Sequence, residues 1–509
     1  MLLVACGDGV GPEQVDSVDV SPAVASLEAG GSLALQATPR GKSGKALNRP
    51  VTWSSNAPNV ASVDGGGMVS GTAPGVVTIT ATSDGQSGSA TLTVIPGAAA
   101  ALEFAVAPSS TVAGAMIGPA VAVRARDARG NTATSFAGPV TIGLASNPAG
   151  ATLSGTKTVL AVAGVATFAD LALDKSGTGF TLQASSGSLS NAVSTSFSVV
   201  GAAATRLAFL QLPATVTAGQ AMTPPVLVAA LDQFGNTATG FAGAVTIALD
   251  ANPPGGTLTG TLSHGAVNSV ATFADLQLDK AGTGYRFRAS ASGLPDTISS
   301  QFVVTPGQAF PGLSTLSASP AAITASGGAS TATITVTLRD LGGNAVPGVA
   351  VSFAASGSGN TLTQPAGATN ASGVATGTLS STVAEAKTVS AVAGGVSLTQ
   401  TASVTVNPAA ANALAFSVQP TATQAGAPIA PAVVVSAQDP FGNLASSFTG
   451  AVTVAIGANP VGGTLSGTKT KSATSGVATF GDLSIDKEGV GYTLTAAAVG
   501  LTTGSSSTF

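Results

Sequence analysis

The sequence predicts an all-β chain, a tandem array of five β-sandwich modules. Three observations carry this prediction: short runs of alternating apolar and polar residues, turn residues at about ten-residue intervals, and a template that recurs at fixed spacing. Runs such as Val121-Ala-Val-Arg-Ala-Arg126 and Ala244-Val-Thr-Ile-Ala-Leu249 alternate with the period of a strand buried on one face. The 65 Gly and 28 Pro punctuate the chain throughout and leave no room for long helices.

The template appears three times. The first copy carries Asp127-Ala-Arg-Gly130-Asn131, then Ala166-Thr-Phe168-Ala-Asp170-Leu171, then Leu173-Asp174-Lys175-Ser-Gly177. The second carries Asp232-Gln-Phe-Gly235-Asn236, Ala271-Thr-Phe273-Ala-Asp275-Leu276 and Leu278-Asp279-Lys280-Ala-Gly282. The third carries Asp439-Pro-Phe-Gly442-Asn443, Ala478-Thr-Phe480-Gly-Asp482-Leu483 and Ile485-Asp486-Lys487-Glu-Gly489. From Asp127 to Phe168, Asp232 to Phe273 and Asp439 to Phe480 the interval is 41 residues. Spacing this strict marks one fold copied three times. In Asp-x-x-Gly-Asn the carboxylate closes an Asx-turn, while Gly and Asn tolerate positive φ, so the motif reads as a hairpin corner.

A cousin lies over 307–408. It keeps Asp340-Leu-Gly-Gly343-Asn344 and Gly373-Val-Ala-Thr376 but lacks the later segments. Its runs Thr331-Ala-Thr-Ile-Thr-Val-Thr-Leu-Arg-Asp340 and Val346-Pro-Gly-Val-Ala-Val-Ser-Phe353 resemble group 1 bacterial Ig-like domains of the invasin and intimin family. The three template copies look like relatives of that group. The segment 17–97 differs: Val51-Thr-Trp53-Ser-Ser-Asn56, Val60-Ala-Ser-Val63-Asp64, Gly67-Met-Val-Ser-Gly71 and Gly75-Val-Val-Thr-Ile-Thr80 resemble a group 2 bacterial Ig-like domain. The sandwiches are thus expected to be immunoglobulin-like. They run over 17–97, 98–201, 202–306, 307–408 and 409–509, after a 1–16 leader remnant and linker. Trp53 is expected in the first core. The last strand reads as clipped, because the sister copies continue past Phe197 and Phe302 with further valines.

Composition narrows the function. Charged residues are 8% against about 25% in ordinary globular chains, and the net charge is −4. No basic cluster is present to hold phosphates, which argues against nucleic acid. No apolar window approaches the roughly 20 residues that span a bilayer. The single cysteine, Cys6, excludes an intrachain disulfide. Leu3-Val-Ala-Cys6-Gly7 resembles a bacterial lipobox, which implies lipidation of Cys6, although only five residues precede it.

Chemistry is sparse. A triad needs a histidine base, and the one histidine, His264, aligns with Val159 and Lys471 in the sister copies, so it is expected as a solvated loop residue. With one His and one Cys far apart, zinc has no ligand set. The carboxylates Asp127, Asp170 and Asp174, Asp232, Asp275 and Asp279, and Asp439, Asp482 and Asp486 are candidate calcium ligands if the turns of a copy converge at a module end. Lys175, Lys280 and Lys487 stand in Asp-Lys-x-Gly turns, where solvent is the expected partner.

The expected function is a non-catalytic, exported stalk or adhesin anchored as a surface lipoprotein, with an unidentified surface protein or glycan as partner. The membrane contact is only through the N-terminal lipid, and no obligate oligomer is implied. A spacer arm of a larger secreted enzyme, or of a carbohydrate-binding protein, is the alternative. Invasin-type resemblance implies adhesion but does not supply a receptor.

Overall fold

The computed structural model describes residues 13–509. Cys6, expected from its neighbours to carry a lipid, lies outside the described residues. Every regular element in this span is a β-strand, as the alternation requires. None of the described residues forms a helix long and apolar enough to cross a membrane.

The first template copy shows how the pattern becomes two layers. Ala101–Val106, Val121–Arg126 and Val165–Phe168 form one antiparallel sheet. Facing it, Pro139–Ser146 pairs with Thr158–Leu160 and Gly177–Ser185, and Phe197–Val200 completes the layer. Thr111–Val112 pairs in parallel with Val199–Val200, so the opening stretch contributes to both sheets. The second copy repeats this topology, including the parallel pairing of Thr215–Thr217 with Phe302–Thr305. The third repeats the Ala413–Val418, Val433–Gln438, Val477–Phe480 sheet.

Side chains pointing inward from both layers make the cores. The template aromatics Phe168, Phe180, Phe273, Tyr285, Phe480 and Tyr492 are all buried. Fully burying one such side chain contributes roughly 1.5–3 kcal/mol. The same aromatic pair recurs: Phe180 with Phe197 at 6.0 Å, Tyr285 with Phe302 at 5.7 Å, and Tyr492 with Phe509 at 6.2 Å between ring centres. The buried residues of the clusters follow one another along the chain without overlap, within 102–199, 207–304, 316–406 and 414–496, and Phe234 of the second copy packs against the first of them. Residues 15–94 hold two further clusters. Each unit therefore closes around its own buried residues, with Phe234 the one side chain that packs on the core of the unit before it among the described residues.

Two expectations need correcting. Trp53 faces inward and packs against both clusters of the first unit, but it is half-buried, because its strand Thr52–Ser55 lies at the sheet edge. His264 is not in a loop: it sits on the strand Ser263–Gly265, opposite Val245.

Candidate functional site at the joints between units

The Asp-x-x-Gly-Asn corners stand where one unit meets the next. In each corner the Asp main chain and the Asn main chain close the turn: Asp232 N donates to Asn236 O at 2.9 Å, and Gly235 N donates to Asp232 O at 3.1 Å. The left-handed residue is the glycine, with φ of 89° at Gly130, 82° at Gly235, 76° at Gly343 and 85° at Gly442. Asn does not share that conformation, contrary to the expectation from sequence. One carboxylate oxygen accepts from inside the corner, as Asp232 Oδ1 does from Phe234 N at 2.9 Å and Asn236 N at 2.8 Å.

The other oxygen holds the linker. Gly97 N donates to Asp127 Oδ2 at 3.0 Å, Ala202 N to Asp232 at 2.9 Å, Gly307 N to Asp340 at 2.8 Å and Ala409 N to Asp439 at 3.0 Å. Close approach follows: a Cβ on the linker residue Gly201 would lie 2.2 Å from Thr237 O, so only glycine fits there. Burial pushes the Asp127, Asp232 and Asp439 carboxyls up. In each case the corner Asn side chain and the converging amides outweigh it and hold the group below the usual carboxylate range.

The Asn side chains reach across three joints. Asn236 Nδ2 donates to Asp174 O at 2.8 Å, while its Oδ1 accepts from Ser176 N at 3.0 Å. Asn344 makes the same pair with Asp279 O at 2.8 Å and Ala281 N at 2.9 Å. Asn443 makes it with Thr382 O at 2.8 Å and Ala384 N at 2.9 Å. Lysine adds a further bond at two of them: Lys175 Nζ donates to Phe234 O and Lys280 Nζ to Gly342 O, both at 2.8 Å. These two lysines are half-buried at the joints rather than solvated, whereas Lys487 is exposed. At the first joint Asn131 stays within its own corner, donating to Asp127 Oδ2 at 3.0 Å.

The three carboxylates proposed as a calcium set are not brought together. In the first copy Asp127 binds its linker at the entrance. Asp170 accepts from Thr156 N at 2.9 Å and Thr156 Oγ1 at 2.8 Å, and Asp174 accepts from Thr152 N at 2.6 Å. Asp275 and Asp279 repeat this with Thr261 and Thr257, and Asp482 and Asp486 with Thr468 and Thr464. Among the described residues no three His, Cys, Asp or Glu side chains gather as a metal site. The threonine partners belong to a Thr-Leu-x-Gly-Thr segment present in all three copies. Its fixed spacing to the later Asp was a readable signal that the sequence reading passed over.

His264 lies edge-on to Phe273 at 5.1 Å, and its enclosed Nε2 has no hydrogen-bond partner among the described residues. Sequence reasoning also missed Lys387. It is fully buried, donating to Ser358 O at 2.6 Å and to the Glu385 carboxylate, which that contact holds below its ordinary range.

Comparison with known proteins agrees with this architecture. Residues 14–94 match the bacterial Ig-like domain (group 2), and residues 313–407 match the bacterial Ig-like domain (group 1). The chain therefore carries one segment of each group, over 14–94 and 313–407. No curated protein matches the chain. Among solved structures, the Escherichia coli adhesin FdeC is similar at 22% identity, covering 61% of this chain and 98% of that one, with a TM-score of 0.38. Invasin, a bacterial integrin-binding protein, shows 16% identity over 80% of this chain and 79% of its own, with a TM-score of 0.34. Yersinia pseudotuberculosis InvD shows 18% identity over 60% and 96%, with a TM-score of 0.32.

Proposed function

We propose that this chain is a non-catalytic stalk or adhesin, exported to the cell surface and held there by a lipid on Cys6. The observation that supports the reading best is the repeated joint. Units of bacterial Ig-like type are fastened end to end by the same bonds, which is what a projecting spacer needs. The titratable groups of the corners are spent on these bonds and on turns; Asp340, which also lines a cleft beside Asp279, has its carboxylate occupied by Gly307 and Asn344. The partner is a surface protein or glycan met by exposed faces of the units or by a tip that they carry.

The test displays the full chain in a bacterial host. Detection by antibody on intact cells, abolished by external protease, is the expected result, together with several-fold greater adherence of displaying cells to epithelial monolayers. Display without adherence assigns the chain to spacing alone; failure to reach the surface overturns the reading. Cys6→Ser is expected to move the chain from the membrane fraction to the medium without altering its melting. Unchanged membrane retention removes the lipid anchor.

A further inference from the structure

We infer that the Asp-x-x-Gly-Asn corner is a docking site for the preceding Ig-like unit, in which the Asn side chain reads that unit's main chain. The corner takes a carbonyl at one residue and an amide two residues on. It does so in three places, at Asp174 and Ser176, at Asp279 and Ala281, and at Thr382 and Ala384. The first two turns have the sequence Asp-Lys-x. The third is Thr382-Val-Ala384, from the unit that matches the group 1 domain and lacks the Phe-x-Asp-Leu template. Two unrelated turn sequences presenting one pair of main-chain groups to one side chain means that the turn's side chains are not what is recognised.

The carboxamide suits this task because it offers two donors and an acceptor in one plane. At Asn236 all are used: one N–H goes to Asp174 O, the other to Asp232 Oδ2 at 2.9 Å, and Oδ1 takes Ser176 N. Asp232 thereby fixes the side chain that makes the crossing while its same oxygen holds the linker. Side chain and linker are locked by one carboxylate, so position and orientation of the neighbour are set together. The partner this corner fits is any β-sandwich unit whose end presents an unpaired carbonyl at one residue and an unpaired amide two residues further on.

The first joint lacks this reading. Among the described residues its hydrogen bonding is the Gly97 to Asp127 contact alone, and the group 2 unit is met otherwise by the exposed Arg129 side chain lying against Gly30, a contact that fixes no main-chain group. The joint at 95–100 is therefore where the chain bends, and the three later joints are stiff. This deepens the stalk reading and rests on it for its purpose, but its test reads joint geometry and is unaffected by where the chain resides.

The experiment uses the full chain with Cys6→Ser and pairs of spin labels placed on exposed strands either side of each joint. The distance distribution across the first joint is expected to be at least twice as broad as across the others. Asn236→Ala should broaden the second joint to match the first and leave the third and fourth narrow. Exchange of the Ser176 amide should accelerate about tenfold, the effect of losing one hydrogen bond of ordinary net strength. Because Asn236→Ala also loosens its own corner, Ser176→Pro removes the donor from the opposite side with the corner intact, and it should broaden the same joint. Four equally narrow distributions, or no broadening with either variant, overturn the inference.

Discussion

Asp232 is fully enclosed, yet its carboxylate accepts four hydrogen bonds: from Phe234 N, Asn236 N, Ala202 N and Asn236 Nδ2. Such a group is kept ionised because its donors replace the water it loses. Asp232→Ala leaves those donors facing a void and should destabilise the second template unit by about 3 kcal/mol in urea unfolding. The pH dependence has a definite sign. With the folded carboxyl held below the unfolded value of about 3.9, its contribution is complete above that value and is lost as pH falls through the lower folded one. Melting should therefore be nearly flat from neutrality to about pH 5 and fall below about pH 4. Asp232→Asn should flatten that acid limb; an unchanged limb would assign it to other carboxylates.

At the scale of the strand, Lys387 is the instructive case. The strand Ala386–Ala393 alternates strictly, and Lys387 shares its buried face with Val389, Ala391 and Ala393. Its ammonium is satisfied by Ser358 O and Glu385, while Asn360 Oδ1, two residues on from Ser358, is enclosed without a partner among the described residues. Replacing a buried ion-paired side chain by an apolar one of similar volume is often neutral, whereas removing only its partner strands a charge. Lys387→Met should leave stability within about 1 kcal/mol, and Glu385→Ala should be the more destabilising of the two, because it strands the buried Lys387 charge. Equal losses in urea unfolding would contradict this account. The burial of Lys387 was legible from period two, which puts it on the face of Val389, Ala391 and Ala393, but the alternation does not name the Ser358 and Glu385 partners that let a lysine stay there. The strands and the buried template aromatics were legible for the same reason, since burial on one face imposes alternation. The joints were not: Asn236 meets a carbonyl 62 residues away, and the corner sequence names the donor without naming what it reaches. The carboxylates were noticed as repeated, but repetition does not distinguish a metal ligand from a turn partner. Here each met a threonine amide or a linker amide first.

For the whole molecule, separate cores and bonded joints make competing claims on cooperativity. Phe273 is fully buried in a cluster drawn only from residues 204–304 and touches no other unit's core. Phe273→Ala should cost that unit 3–5 kcal/mol, the usual range for deleting a buried ring. For a unit of about 100 residues each kcal/mol moves the melting midpoint by roughly 4–8 °C, so one transition should fall by 12 °C or more. The neighbours are tied to this unit by a few hydrogen bonds at each joint, through Phe234 O and Asn236 on one side and Asp279, Lys280 and Ala281 on the other, and by the Phe234 ring packed on the preceding core. At about 1 kcal/mol net per bond their loss should lower the adjacent transitions by far less than the mutated one. Scanning calorimetry of the full chain separates the outcomes. A single component moving down, with its two neighbours following by a few degrees, means that cores govern folding while joints govern alignment. The entire endotherm moving as one would mean that the joints carry enough free energy to merge the units into one cooperative body. In that event the fastening of the stalk would have to be sought in its apolar contacts, such as Phe234 against Gly114, as well as in its hydrogen bonds.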